Sequence, residues 1–446
     1  MSLLIKDATI INERRSYTGS VLIVNERIVE IYISDAKLPD VDEIVDASGK
    51  WLIPGAIDGH VHFREPGALH KGSMATESAA AVAGGVTSYM DMPNNDPPCC
   101  SIPLLEDKYQ RAAACSYANY AFYLGANDDN IEEIKKIDPT RVPGVKLFMG
   151  ASTGNMLVDN EEALARIFME SPVLIATHCE DEETIQKNLS KAKGMFGNHV
   201  TPEWHPLIRS RKACIMSTQK AIELAMNYNS RLHILHLTTK EEVALLATIK
   251  KTTHRITGEI CVPHLYFSDM DYYKYGNLIK CNPAIKSIED RDALRGALLQ
   301  GVVQVVGSDH APHTLEEKYR PYLYAPSGIP LIQYALPVMF TMAKEGLFTP
   351  EEVVDWMCHG PAFNYGVAER GFIKPGYYAD LVLLDPERCL DSDTLLYMCG
   401  WSPLLCKDLS VGVSHTFVNG RLAYSADKGI CNQRYGQPLQ FKCSYE

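Results

Sequence analysis

Positive charge is scarce in this chain: 43 Lys and Arg stand against 55 Asp and Glu, a formal net charge of -12 at pH 7. Phosphate backbones and anionic lipid surfaces are held by clustered cations, so this balance excludes nucleic acid and membrane as principal partners. A small anionic substrate stays open, because one buried Arg decides that locally. Long apolar runs are also missing. Lys6 and Asp7 break the apolar start of the chain where a secretory leader needs an unbroken stretch, and no later run reaches membrane-spanning length. The expectation is a cytoplasmic protein. Low-complexity tracts and fixed-period repeats are absent, which argues against a disordered tail or a solenoid. The 13 cysteines lack zinc-ribbon spacing, and several, such as Cys179 and Cys261, sit in apolar runs typical of reduced buried thiols. A disulfide framework is therefore not expected.

With 446 residues and 46% apolar content, the chain can bury one large domain and a smaller one. Residues 3–5, 21–24 and 28–33 are short apolar runs separated by polar clusters such as 12–15, the pattern of antiparallel strands. From Pro54 the pattern changes. Apolar runs at 87–92, 144–149, 173–177, 232–237, 255–261 and 302–306 alternate with helical stretches such as 75–83 and 181–193, which predicts parallel βα units. A polar or ionisable residue stands at or just after nearly every run. That placement fits an α/β fold of the (β/α)8 TIM-like barrel type, whose sites lie at the carboxyl ends of the strands. After about Phe372 short strands return, with 379–384 and 415–418 bracketing the turn Asn419-Gly420. The expected organisation is a barrel over 54–370 and a small β-sandwich built from both chain ends, 1–53 and 371–446.

The first chemical constellation is Asp58-Gly59-His60-Val61-His62, directly after the apolar run 52–57. Histidines at i and i+2 of a strand project the same way, so His60 and His62 can reach one cation. A pair of partly buried, hydrogen-bonded histidines is the plainer alternative. Lys146, His178 and His236 follow at further strand ends. Each alone reads as a satisfied core histidine or a lysine whose stem lies along apolar surface; their recurrence is the argument for metal. His233 competes with His236, but a spacing of three puts the two on opposite faces, and His236 lies at the end of its run, just before Thr238 and Thr239. Asp309, in Gly307-Ser308-Asp309-His310-Ala311-Pro312-His313, closes the series. A carboxylate there can hold metal and take a proton from bound water, whereas a lone Asp after a strand is commonly a helix cap.

Asp58-Gly59-His60-Val61-His62-Phe63-Arg64-Glu65-Pro66-Gly67, Met92-Pro93-Asn94 and Ser308-Asp309-His310-Ala311-Pro312-His313 together resemble dihydroorotase, a family within the amidohydrolase superfamily. The resemblance covers nearly the whole chain, and Gly371-Phe372-Ile373-Lys374-Pro375-Gly376 with Ala379-Asp380-Leu381 is similar to the returning sandwich strand of that superfamily. His-x-His and Ser-Asp-His are shared superfamily-wide, whereas Phe63-Arg64-Glu65-Pro66-Gly67 is much more specific. The resemblance implies two Zn2+ ions: His60 and His62 on one, His178 and His236 on the other, and Asp309 as ligand and general base. It implies that Lys146 bridges them as an N-carboxylated lysine, because an amine cannot bridge two dications. It also implies that Arg64 grips a substrate carboxylate, that Asn94, Asn282 and His313 hydrogen-bond the substrate, and that the backbone at Ser327 and Gly328 contacts its ring. Plainer roles are a surface ion pair for Arg64 and turn-shaping for the two asparagines. Cys281 and Ser327 depart from the Met and Phe common at those places in dihydroorotases, which bears on the ring contacts.

The implied activity is the reversible interconversion of dihydroorotate and N-carbamoyl-L-aspartate in pyrimidine biosynthesis through a zinc-bridging hydroxide. A homo-oligomer is compatible with it. Hydantoinase, dihydropyrimidinase and allantoinase are the nearest rivals, sharing the metal constellation but taking rings without that carboxylate. A catalytically silent scaffold homologue is expected to have lost ligands, and all six positions are filled. Residues 314–324, rich in Glu, Lys and Tyr, read either as a mobile loop over the site or as a plain surface connection.

Overall fold

The computed structural model describes residues 1–33, 37–150, 156–158, 160–389, 395–405 and 409–442. The first hairpin, Ser2–Asn12 with Arg15–Val24, turns through Glu13 and Arg14, both at positive φ (50° and 59°), the geometry of a two-residue type I′ turn. Near the other end of the chain, Gly412–Val418 and Arg421–Ser425 form a second such hairpin through Asn419 and Gly420 (φ 51° and 71°). The strand after this turn is thus Arg421–Ser425, which the sequence reading missed. Leu381–Asp385 lies on the opposite side of Gly412–Val418 and pairs with Trp51–Pro54, which runs parallel to Ser2–Asn12. Both chain ends therefore share one nine-stranded sheet, and Ile5, Ile10, Val21, Ile23, Leu381 and Leu383 pack together on it as a separate core.

Gly55 alone separates that sheet from a parallel one. Its N–H donates to Asp380 O at 2.8 Å, and a Cβ there would lie 2.0 Å from Thr87 Oγ1, so any other residue would force the two layers apart. Parallel strands then follow in order: Ala56–Val61, Val86–Asp91, Asn119–Phe122 continued by Leu124–Gly125, Val145–Phe148, Ile175–His178, Leu232–Ile234, Ile256–Cys261 and Val305–Gly307. Each pairs in parallel with the next. The ring closes where Val61 bridges to His310 and the His62 N–H donates to His310 O at 2.7 Å. The strands are buried on both faces, which is why they read as apolar runs without alternation. Helices flank them from Met74–Ala83 to Ile332–Lys344, with Ser73, Asn160, Asp181, Thr239 and Ser287 accepting the first helical N–H groups.

Two expected strands are shorter than their apolar runs: 302–306 becomes Val305–Gly307, and 232–237 ends at Ile234. Just beyond them His236 and Asp309 take positive φ (37° and 49°), as does Arg64 (68°) after the first strand. Such angles are uncommon for residues with a Cβ, and here they turn three side chains into the barrel mouth. No helix among the described residues is long and apolar enough to cross a membrane, and the 11 described cysteines are all free.

Candidate metal centre

His60 and His62 leave the first barrel strand on the same side, as their spacing requires. Each presents Nε2 at 3.3 Å from Asp309 Oδ1. Their far nitrogens are braced: His60 Nδ1 meets Glu259 Oε1, and His62 Nδ1 meets Asn94 Oδ1, both at 2.7 Å. An acceptor on Nδ1 fixes that nitrogen as N–H and leaves the Nε2 lone pair facing the mouth. Burial pushes His62 down to about 4, so its imidazole is neutral at pH 7, the form that binds metal. Burial alone would raise the Asp309 carboxyl, but His60 and then His62 outweigh it and hold Asp309 below the ordinary carboxylate value.

Across the mouth, His178 Nδ1 and His236 Nε2 face each other at 3.0 Å. Burial drives both imidazoles below the usual histidine value, and at His236 the neighbouring His178, His60 and Lys146 add to it. His178 Nε2 is taken by Glu180 Oε2 at 2.9 Å, and that carboxylate is gripped by Arg209. Burial opposes ionisation of Glu180, yet Arg209 and then His178 bring it down to about 2. The two halves adjoin, with His60 and His236 ring centroids 5.2 Å apart. Lys146, fully buried on the strand Val145–Phe148, is lowered by burial to about 8, with Asp309 partly opposing. Imidazoles that burial keeps from protonating, at His62, His178 and His236, suit a divalent transition metal beside the Asp309 carboxylate, and the ligand atoms of His60, His62 and Asp309 lie within 4.8 Å of one another.

Both halves line one small cavity of about 60 Å³, together with Arg64, Asn94, Asn282, Ser327 and Gly328. Arg64 donates from Nε to Pro312 O at 3.1 Å. His313 stands behind Arg64 instead of on the cavity wall: its Nε2 lies 3.1 Å from both Arg64 Nη2 and Ser327 O, and its Nδ1 lies 3.1 Å from Lys71 Nζ. Burial, then Arg64 and Lys71, keeps this ring neutral. A neutral imidazole accepts at one nitrogen and donates at the other, so Lys71 takes the Nδ1 lone pair and Nε2–H goes to Ser327 O. Gly328 (φ 145°) has no room for a side chain, since a Cβ would lie 2.5 Å from Ala311 O. Residues 314–324 are tied to this wall. Thr314 caps the turn Leu315–Lys318, and the buried Lys318 Nζ donates to the carbonyls of Lys280 (3.1 Å), Pro326 (3.1 Å) and Gly328 (2.8 Å).

Several supporting residues escaped sequence reasoning. Glu259 was visible only as a lone acid inside an apolar run, and Glu180 as an acid two residues past His178. Arg209, on the connection between two helices, left no local signal. Lys108 and Asp91 form a fully buried ion pair beneath the mouth. Lys108 Nζ also donates to Met92 O (3.0 Å) and Asn95 Oδ1 (2.8 Å), while Asp91 Oδ1 accepts from the Phe63 N–H (2.7 Å). One pair thereby positions the segments that carry Arg64 and Asn94.

Residues 51–423 match the amidohydrolase family. Over 403 residues the chain is 33% identical to a dihydroorotase of Halobacterium salinarum, covering 87% of this chain and 90% of that one. Over 400 residues it is 29% identical to an allantoinase of Streptomyces avermitilis, covering 88% of each. Its fold matches the L-hydantoinase (dihydropyrimidinase) of Arthrobacter aurescens with a TM-score of 0.92 at 23% identity, over 98% of this chain and 99% of that one. Three differently named relatives leave the substrate to be read from the cavity wall.

Proposed function

The chain belongs to the amidohydrolase family, and on that premise we propose that it is a dihydroorotase, interconverting dihydroorotate and N-carbamoyl-L-aspartate. The observation that carries this reading is the guanidinium of Arg64. It lines the cavity, donates to Pro312 O, lies against the His313 ring, and forms no ion pair with any described carboxylate. Burial lowers it to about 10, so it stays charged at neutral pH. A half-buried guanidinium that pairs directly with no described carboxylate keeps its fork open, and a substrate carboxylate would meet it in bidentate geometry. Asn282 Oδ1, buried with no hydrogen-bond partner among the described residues, offers an acceptor to a ring N–H. Hydantoin, dihydrouracil and allantoin lack the carboxylate that Arg64 would hold.

The side chains fit two Zn2+ ions. His60 and His62 would hold one, His178 and His236 the other, with Asp309 and an N-carboxylated Lys146 as further ligands. Zinc, when bound, makes water nucleophilic at neutral pH and polarises the ring amide carbonyl. Asp309 takes the proton of the attacking water and delivers it to the departing ring nitrogen. Glu259, Asn94 and Glu180 keep the imidazoles aimed, and Arg64 fixes one end of the substrate. The same groups close the ring in reverse. The sheet from both chain ends belongs to this reading as a small sandwich domain bounded near residues 53 and 371. So does a cytoplasmic protein whose partner is a small molecule.

Turnover of dihydroorotate, hydantoin, dihydrouracil and allantoin tests the proposal, with metal content measured on the same sample and Arg64→Gln alongside. Expected are dihydroorotate turnover and a KM raised about 10- to 100-fold in the variant, the worth of a charge-assisted hydrogen bond. Turnover confined to the uncharged rings makes the chain another cyclic amidohydrolase. Metal without turnover of any of the four makes it a silent scaffold.

A further inference from the structure

The opposite end of the barrel holds a larger cavity, of about 520 Å³, to which the activity proposed above gives no role. Its wall includes Leu174, Arg231, Arg255 and Gln304, which directly precede the strands Ile175–His178, Leu232–Ile234, Ile256–Cys261 and Val305–Gly307. It therefore opens at the amino ends, away from His60 and Asp309. The lining is cationic: Arg14, Arg231, Lys250 and Arg255, with His254, face a single carboxylate, Asp355. That carboxylate is already engaged by Arg14.

Among the described residues, Lys250 and Arg255 meet only main-chain carbonyls. Lys250 Nζ donates to Gly301 O (3.1 Å) and Val302 O (2.9 Å), and Arg255 Nε donates to Asn229 O (3.0 Å). Carbonyls orient these heads without neutralising them. An ammonium has three N–H donors and a guanidinium five, so both keep donors for a ligand. Lys250 is half-buried, and burial lowers it with no carboxylate contributing. Cations gathered in a concavity of a chain with a net charge of -12 focus a local field opposite to that of the whole protein. The volume suits a small metabolite, and the exposed Phe363 ring stands on the same wall.

We propose that this basal cavity is a second ligand site that takes a small phosphorylated anion between Lys250 and Arg255. Phosphate carries about -1.5 to -2 charges at pH 7 and several acceptor oxygens, which two uncompensated cations match better than they match a monocarboxylate.

Calorimetric titration of the metal-loaded protein with inorganic phosphate and with a nucleoside 5′-monophosphate tests this. Saturable binding is expected, weakened about tenfold or more in Lys250→Gln/Arg255→Gln, retained in Lys250→Arg, and unchanged in Asp309→Asn. Circular dichroism of each variant separates lost binding from lost fold. Tighter binding of the nucleotide that disappears in Phe363→Ala assigns the site to a phosphate ester bearing a ring; equal binding of the two probes assigns it to phosphate itself. Absence of saturable binding overturns the proposal. So does binding that survives the double substitution but vanishes in Asp309→Asn, which places the anion at the catalytic mouth.

Discussion

At the carboxyl ends of the strands, polar side chains brace one another: His60 on Glu259, His62 on Asn94, His178 on Glu180, and Glu180 on Arg209. At the amino ends, Lys250 and Arg255 hang from main-chain carbonyls around a cavity of about 520 Å³, against about 60 Å³ at the mouth. Side-chain bracing fixes tautomer and aim together, which is what proton transfer and metal binding demand. Carbonyl anchoring fixes position and leaves charge uncompensated, which suits binding alone. The two ends of one barrel thus separate chemistry from capture.

The largest break in this contrast is expected from Asp309→Asn. The amide keeps the shape but supplies neither a base nor an anionic donor, so kcat for dihydroorotate should fall by about 10²- to 10⁴-fold. Unfolding by urea should remain cooperative. Near-normal turnover in the variant would remove Asp309 from the reaction.

Next in size is Lys108→Met. Leaving Asp91 charged and buried without its partner should cost about 3–5 kcal/mol in urea unfolding, because neither water nor another cation reaches it. The matching cut at the base, Arg14→Ala, removes the pair with Asp355. Arg14 is 67% exposed there, and the loss should stay below about 1 kcal/mol. Equal losses at the two ends would erase the distinction.

Glu259→Gln probes the bracing itself. An amide can still accept from His60 Nδ1 but no longer draws the imidazole toward the basic, metal-binding form, so metal affinity should drop about 10- to 100-fold. Metal retained after dialysis against a graded chelator measures this, and wild-type retention would reduce Glu259 to packing.

The metal candidates were legible because histidine, lysine and aspartate interrupt apolar runs where barrel strands end. His60, His62, Lys146, His178, His236 and Asp309 do line one cavity. Their braces were not legible. Glu259 is 199 residues from the His60 it holds, and only strand order brings them together. The strand Asn119–Phe122 was missed because four residues beginning with Asn make too short an apolar run to stand out. His313 read as a substrate contact, yet it stands behind Arg64, a depth that motif spacing does not encode. Lys108 on its helix, and Lys250 and Arg255 around a turn, carry no local signal that sets them apart from surface charge.

Lys318 sharpens the contrast by the smallest margin, because it is a cation hung on carbonyls like Lys250 but placed at the mouth and fully buried. Burial lowers it from the ordinary 10.5 to about 7. Between those values the unfolded chain holds a proton that the folded chain has released. Stability from this group therefore rises with pH across the window and is lost as pH falls toward 7. Lys318→Met removes the group, so the stability of the wild type relative to the variant should grow from pH 7 to about 10. The slope approaches but cannot exceed about 1.4 kcal/mol per pH unit, and carbonyls that favour the ammonium would narrow the window by raising its lower edge. Taking the difference cancels Lys146, which is lowered to about 8 and present in both proteins. A flat difference across the window would mean that the carbonyl cage outweighs burial. Lys318 would then stay charged, and hanging a cation on carbonyls would be enough to preserve its charge even at the mouth.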